Sequence, residues 1–115
     1  MPQYDWAKMA PREPVAWFAE HMEETLRRND HKGGWDDCST RWLLSRLHEE
    51  LDELAESMSG RCGCREADCP HVLLTPWDMA NKDRVIQEAT DVANFAMMIA
   101  DKARHAALRA KGVDV

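Results

Sequence analysis

No stretch of this chain is apolar for the roughly 20 consecutive residues that a membrane-spanning helix requires. The opening residues MPQYDWAKMAPREP also lack the charged and apolar regions of a secretory leader. The expectation is a cytosolic protein that does not associate with membranes. Excess positive charge is missing as well. Fifteen Lys and Arg against 21 Asp and Glu give a net charge of -6, with no basic tail or stripe to neutralise a phosphate backbone, so nucleic acid is not the expected partner. Internal repeats, low-complexity tracts and alternating apolar runs long enough for a sheet are absent too, which removes solenoids and β-folds from consideration.

What is present is helical periodicity. Pro14 suits the start of a helix, and the stretch after it carries Val15, Phe18, Met22 and Leu26 at helical spacing. The segment 29–39, with its Asn, Asp and glycine pair, reads as a connecting loop, and Ser39 stands ready to cap the next helix. From Thr40 to Met58, the residues Leu44, Leu47, Leu51, Leu54 and Met58 alternate steps of three and four, predicting one apolar stripe along a second helix that Gly60 stops. Residues 59–81 hold Gly60, Gly63, Pro70 and Pro76, and read as an insertion between helices. A third helix is expected over 82–109, with apolar side chains on nearly every face between 85 and 100, as if buried from several sides. The 115 residues thus describe a single all-α domain, a helical bundle with one modest core that a partner subunit helps to complete.

The chemistry lies in the carboxylates. At about 100° per residue, Glu50 and Glu53 fall beside one another at the edge of the Leu47/Leu51/Leu54 stripe. Glu49 lies one turn before Glu53 on the same side. Such a run on a helix is usually a solvated face. Glu88 and Asp91, however, stand three residues apart in a stretch too apolar for a surface, with no Lys or Arg between 85 and 100. Two carboxylates there repel each other and lose hydration unless a cation lies between them. Clustered oxygens suit a hard ion such as Mg²⁺, which also accepts waters and substrate phosphates, and Mn²⁺ is its natural substitute.

The ordered pattern Glu49-Glu50-x-x-Glu53 followed by Glu88-x-x-Asp91 resembles the signature of the MazG-like, all-α nucleoside triphosphate pyrophosphohydrolases. The resemblance spans the second and third helices and extends to the loop Lys32-Gly33-Gly34-Trp35. One departure is the 34-residue separation of Glu53 from Glu88, longer than is usual in the family. The resemblance implies Mg²⁺-dependent hydrolysis of a nucleoside or deoxynucleoside triphosphate between its α and β phosphates, giving a monophosphate and pyrophosphate. Glu50, Glu53, Glu88 and Asp91 would be the metal ligands, and Glu49 would serve an outer metal or orient the attacking water. It further implies homodimers or homotetramers in which helices of two chains complete each bundle. Compact versions occur in phages, some acting on purine deoxynucleotides, so a substrate such as dGTP or dATP is the expectation.

Around that site, Lys32 offers a point charge for a phosphate and Trp35 a flat face for a base. Asn94, one turn beyond Asp91, is placed to hydrogen-bond the sugar or a phosphate, or to be satisfied by backbone groups. Phe18, His21 and Met22 are candidates for the base pocket, with helix packing the alternative for Phe18 and Met22. The insertion adds Cys62-x-Cys64 followed by Cys69-x-His71, four ligands within ten residues and enough for a tetrahedral structural Zn²⁺ site. The other reading of that insertion is a polar loop with free thiols. Two rival functions remain in view. One is a non-catalytic helical adaptor stapled by zinc, which requires Glu88 and Asp91 to face water. The other is a di-iron carboxylate bundle, which wants a Glu-x-x-His pair that neither acidic motif contains.

Overall fold

In the computed structural model, residues 10–58 and 82–112 are described. They form α1 (Glu13–Arg28), a short 3-10 turn (Asp30–Lys32), α2 (Thr40–Met58) and α3 (Lys82–Ala110), with no strand among them. The all-α class expected from the periodicity is what these residues adopt. No helix among them is long and apolar enough to cross a membrane.

The local signals act where the sequence places them. Pro14 sits in the first turn of α1, where its missing N–H costs nothing, although the helix begins one residue earlier at Glu13. At the other end, the Asn29 side chain donates to the Thr25 carbonyl at 2.9 Å and its backbone N–H reaches Leu26. Gly33 leaves the 3-10 turn with φ +87°, a conformation that favours glycine, while its N–H donates to the Asp30 carbonyl. Ser39 caps α2: its hydroxyl accepts from the Trp42 N–H at 3.1 Å. Gly112, at φ +82°, ends α3 just beyond Ala110.

α3 packs against both α1 and α2, and α2 presents a different line to it from the one its leucines suggest. Leu43, Glu50 and Ser57, spaced seven apart, are the buried residues of α2. Leu47 and Leu54 flank that line, half-buried. Leu44 and Leu51 remain 49% and 50% exposed. They stand roughly 80–100° round the helix from Leu43, so α3 covers one edge of the apolar stripe and leaves the other bare.

α3 also differs from expectation. Only Thr90 and Asn94 are buried on it, and most of its apolar residues between 85 and 99 are half-exposed. Burial from several sides is therefore not achieved within the described residues of one chain. Leu43 is the one fully buried hydrophobic side chain among them. The small polar residues at the helix contacts are satisfied locally: Thr90 donates to the Ile86 carbonyl and Ser57 to the Leu54 carbonyl, each at 2.7 Å.

Candidate functional site

The α2–α3 contact brings the two acidic motifs together. Carboxylate oxygens of Glu50, Glu53 and Glu88 all lie within 4.8 Å of one another, an arrangement able to hold a cation. Glu50 is 6% exposed, and the Glu88 side chain is 15% exposed, so neither belongs to a solvated face. Asp91, half-buried one turn further along α3, accepts a hydrogen bond from Gln87 Nε2 at 3.0 Å.

Burial and crowding shift the titration of Glu50, Glu88 and Asp91 upward. The Glu50 carboxyl is raised from 4.5 to about 7, first by burial, then by its hydrogen bond to Glu53 and the charges of Glu53 and Asp91, with Arg46 opposing. Glu88 is raised by burial, then by Glu53 and Asp91. Asp91 is raised by burial above all, against the lowering effect of the Gln87 hydrogen bond. Each shift says that the protein alone under-compensates these charges, so a bound cation would be favoured there.

The sequence window free of Lys and Arg does not leave the cluster without basic neighbours. Arg46 Nη2 reaches Glu50 Oε1 at 2.8 Å, and Arg84 Nε lies 3.6 Å from Glu88. Arg46 also pairs with Glu49, and its guanidinium lies 5.4 Å from the Phe95 ring centroid. Glu49 itself is exposed, its carboxylate on Arg46, and it is not part of the triad. A third arginine acts through intermediaries. Arg28 donates to Gln87 Oε1 at 2.8 Å and to the buried Thr25 hydroxyl at 3.1 Å, while Gln87 Nε2 reaches Thr25 as well as Asp91. The chain Arg28–Gln87–Asp91 thus ties the end of α1 to the acidic cluster.

Beside the cluster lies a cavity of about 480 Å³ whose wall includes Glu50 and Asp91. That volume falls in the range of small-ligand sites. The end of α1 contributes Thr25, Leu26 and Asn29. The loop contributes Lys32 to Trp35 and Cys38, α2 adds Trp42, Leu43 and Arg46, and α3 adds Asn94, Phe95 and Met98. Trp42 and Phe95 meet edge to face at 6.5 Å between ring centroids.

The loop is fixed rather than draped over this cavity. Trp35 Nε1 donates to Asp101 Oδ2 at 3.0 Å, and Lys102 Nζ donates to the Asp36 carbonyl at 2.8 Å. The Trp35 hydrogen bond is the first cause holding the Asp101 carboxyl below its usual range, with Arg104 and His105 adding to it. Lys32 and Trp35 both belong to the cavity wall.

Asn94 is 3% exposed. Its Nδ2 donates to the Met22 carbonyl at 3.2 Å, and its Oδ1 is buried with no hydrogen-bond partner, the one such side-chain atom among the described residues. A buried orphan acceptor costs about 1–3 kcal/mol. The remaining pocket candidates lie elsewhere. Phe18 stacks on Trp17 at 6.1 Å, His21 meets Trp17 edge-on at 4.6 Å, and neither these two nor Met22 belongs to the cavity wall. Cys62, Cys64, Cys69 and His71 lie outside the described residues.

Arg46, Arg28 and Gln87 beside the cluster, and Trp42, Phe95 and Met98 in the cavity wall, are among the site residues that sequence reasoning passed over. Arg46 was signalled by its i, i+3 and i, i+4 spacing to Glu49 and Glu50. Arg28 and Gln87, 59 residues apart, carry no such local signal. Comparison of the chain with protein-family models, with curated proteins and with solved structures returned no match.

Proposed function

We propose that this protein is a Mg²⁺-dependent nucleoside triphosphate pyrophosphohydrolase that cleaves between the α and β phosphates of a purine deoxynucleotide such as dGTP or dATP. One observation carries the reading: three carboxylates from two helices converge within 4.8 Å beside a cavity of about 480 Å³ whose wall carries a lysine and three aromatic side chains. The resemblance of the Glu49-Glu50-x-x-Glu53 and Glu88-x-x-Asp91 motifs to the MazG-like enzymes points the same way.

The donor set fits a hard cation, because every candidate ligand is a carboxylate, and the upward shifts of Glu50, Glu88 and Asp91, caused first by burial, support a counterion there. Glu50, Glu53, Glu88 and Asp91 would hold it. When bound, Mg²⁺, or Mn²⁺ in its place, polarises the phosphoryl oxygens and acidifies a water. The side chains do the rest. Glu50, Glu53 and Glu88, with oxygens within 4.8 Å of one another, would each offer the ion a carboxylate oxygen. Gln87, held by Arg28, keeps one oxygen of Asp91 engaged and so fixes the carboxylate's rotation. Glu49 is the candidate base for the attacking water, once its contact with Arg46 is broken. Lys32 meets phosphate charge, and Trp35 offers its ring to the base. Water adds to the α-phosphorus, the bridging P–O bond breaks, and pyrophosphate leaves.

A homodimer or homotetramer is part of this reading, in a cytosolic setting and without nucleic acid or membrane as partner. It is supported by the bare Leu44 and Leu51 and by there being a single fully buried hydrophobic side chain among the described residues, an apolar surface that gains from a second copy. The Cys62, Cys64, Cys69 and His71 insertion remains a proposed structural Zn²⁺ site. A zinc-stapled adaptor explains less, because Glu88 and Asp91 are drawn into the helix interface instead of facing water. A di-iron centre is disfavoured by a ligand triad without histidine.

The test is incubation with each common NTP and dNTP, with and without Mg²⁺ or Mn²⁺, and separation of the products by ion exchange. Monophosphate and pyrophosphate appearing only with metal is the expected result. Diphosphate with orthophosphate would move the cleavage site, and no turnover of any nucleotide would favour the adaptor.

A further inference from the structure

Asn94 carries information that the acidic cluster does not. Its Nδ2 is committed to the Met22 carbonyl, which can only accept, so the orientation of the amide is fixed and its oxygen is left over. That oxygen is buried and has no partner, and Asn94 forms part of the cavity wall. What it lacks is a donor. A phosphate group, deprotonated near neutral pH, presents acceptors and cannot supply one. The leftover valence therefore excludes a phosphate contact through this atom and selects an O–H or N–H of the rest of the ligand.

The order of residues along α3 narrows the choice. Wall residues run Asp91, Asn94, Phe95, Met98: a carboxylate, an amide, an aromatic ring and a thioether. In a nucleotide, phosphates, sugar and base follow in the same sequence. Asn94 lies about 4.5 Å beyond Asp91 along the helix axis, three residues at 1.5 Å each. Trp35, Trp42 and Phe95 supply the apolar surroundings for the base. Resting on the proposed nucleotide reading, we propose that Asn94 Oδ1 accepts a hydrogen bond from a hydroxyl of the substrate's sugar ring, making Asn94 a specificity-determining residue for that hydroxyl.

The test is calorimetric binding, in Mg²⁺, of α,β-imido adenosine triphosphate and its 2′-deoxy, 3′-deoxy and 2′,3′-dideoxy counterparts to the full chain. The wild-type protein should bind the dideoxy analogue roughly tenfold more weakly than the ribose analogue, with the singly deoxy forms showing which hydroxyl is read. In Asn94→Leu, which keeps the side chain's shape, that preference should disappear. Equal affinity of the wild type for the ribose and dideoxy analogues overturns the inference without any variant being made. Persistence of the preference in Asn94→Leu overturns it also. An analogue lacking the 6-amino group provides the remaining arm: if the variant loses preference for that amine instead, the donor is on the base and the sugar assignment falls. Hydroxyl-dependent binding without turnover would remove the hydrolase reading and leave this one standing, whereas failure to bind any analogue of this series or of the matching guanosine series would remove both.

Discussion

At the residue scale, Glu50 sets the pH behaviour of the protein. Burial, then the neighbouring Glu53 and Asp91, push its folded carboxyl up from an ordinary 4.5 to about 7, so folding favours the protonated form. The stability contributed by that raised value is fully present below 4.5 and is lost as pH rises through about 7. Glu88 and Asp91 act in the same direction. Asp101 is opposite in sign: its lowered carboxyl stabilises above its ordinary 3.8 and loses that contribution as pH falls, a window too acidic to mask the others. The thermal midpoint of chelator-treated protein should therefore fall between about pH 5 and about pH 7.5, and Mg²⁺ should raise it more at the higher pH, where its ligands are already deprotonated. A midpoint flat over that range, by scanning calorimetry, would contradict the assembled cluster. Glu53→Gln separates stability from function. Removing one of the crowded charges should leave the metal-free fold at neutral pH unchanged or more stable by on the order of 1 kcal/mol while abolishing metal-dependent turnover. Asp91→Asn should likewise abolish it with the helices intact, since the amide oxygen still accepts from Gln87. Circular dichroism and the nucleotide assay together check both, and full activity in either variant would remove that residue from the site.

At the scale of single helices, α2 was legible in extent and illegible in rotation. Steps of three and four gave its span, and Ser39 its cap, because capping and periodicity are local properties of the chain. The line that meets α3 could not be read the same way. Leu44, Leu47, Leu51, Leu54 and Met58 form a stripe broader than one neighbouring helix covers, and the stripe does not say which of its edges meets α3. The structure selects the edge holding Leu43, Glu50 and Ser57, and so carries Glu50 inward. The difference is measurable. Leu43→Ala should cost about 2–5 kcal/mol in chemical denaturation, as expected for a fully buried leucine. Leu51→Ala should cost about 0.5 kcal/mol or less in the isolated chain. Comparable losses at the two positions would place both leucines in buried surroundings.

At the scale of the whole molecule, the bare edge of α2 bears on assembly. Leu44 and Leu51, half exposed and two turns apart, offer a continuous apolar face, and the described residues bury only Leu43 completely. If a second copy covers that face, Leu51→Glu should convert an oligomer to monomers in sedimentation velocity and lower the thermal midpoint with it. A wild-type protein that sediments as a monomer at micromolar concentration would end the oligomer proposal.

The sequence by itself determined the three helices, the loop between the first two and the acidic residues at helical spacing, since each depends on neighbours within a turn or two. It also named Lys32, Trp35 and Asn94 without saying how they meet. Tertiary packing decided what no local pattern encodes: that Glu88 closes on Glu50 and Glu53, and that Arg46 turns to Glu49 and Glu50. It also decided that Arg28 reaches Asp91 through Gln87 and that Trp35 is anchored on Asp101, 66 residues away. Apart from the Arg46 pairs, these contacts join one helix to another, or in the case of Trp35 the connecting loop to α3, and depend on which edge of a broad apolar stripe is buried, a choice that belongs to the packed molecule.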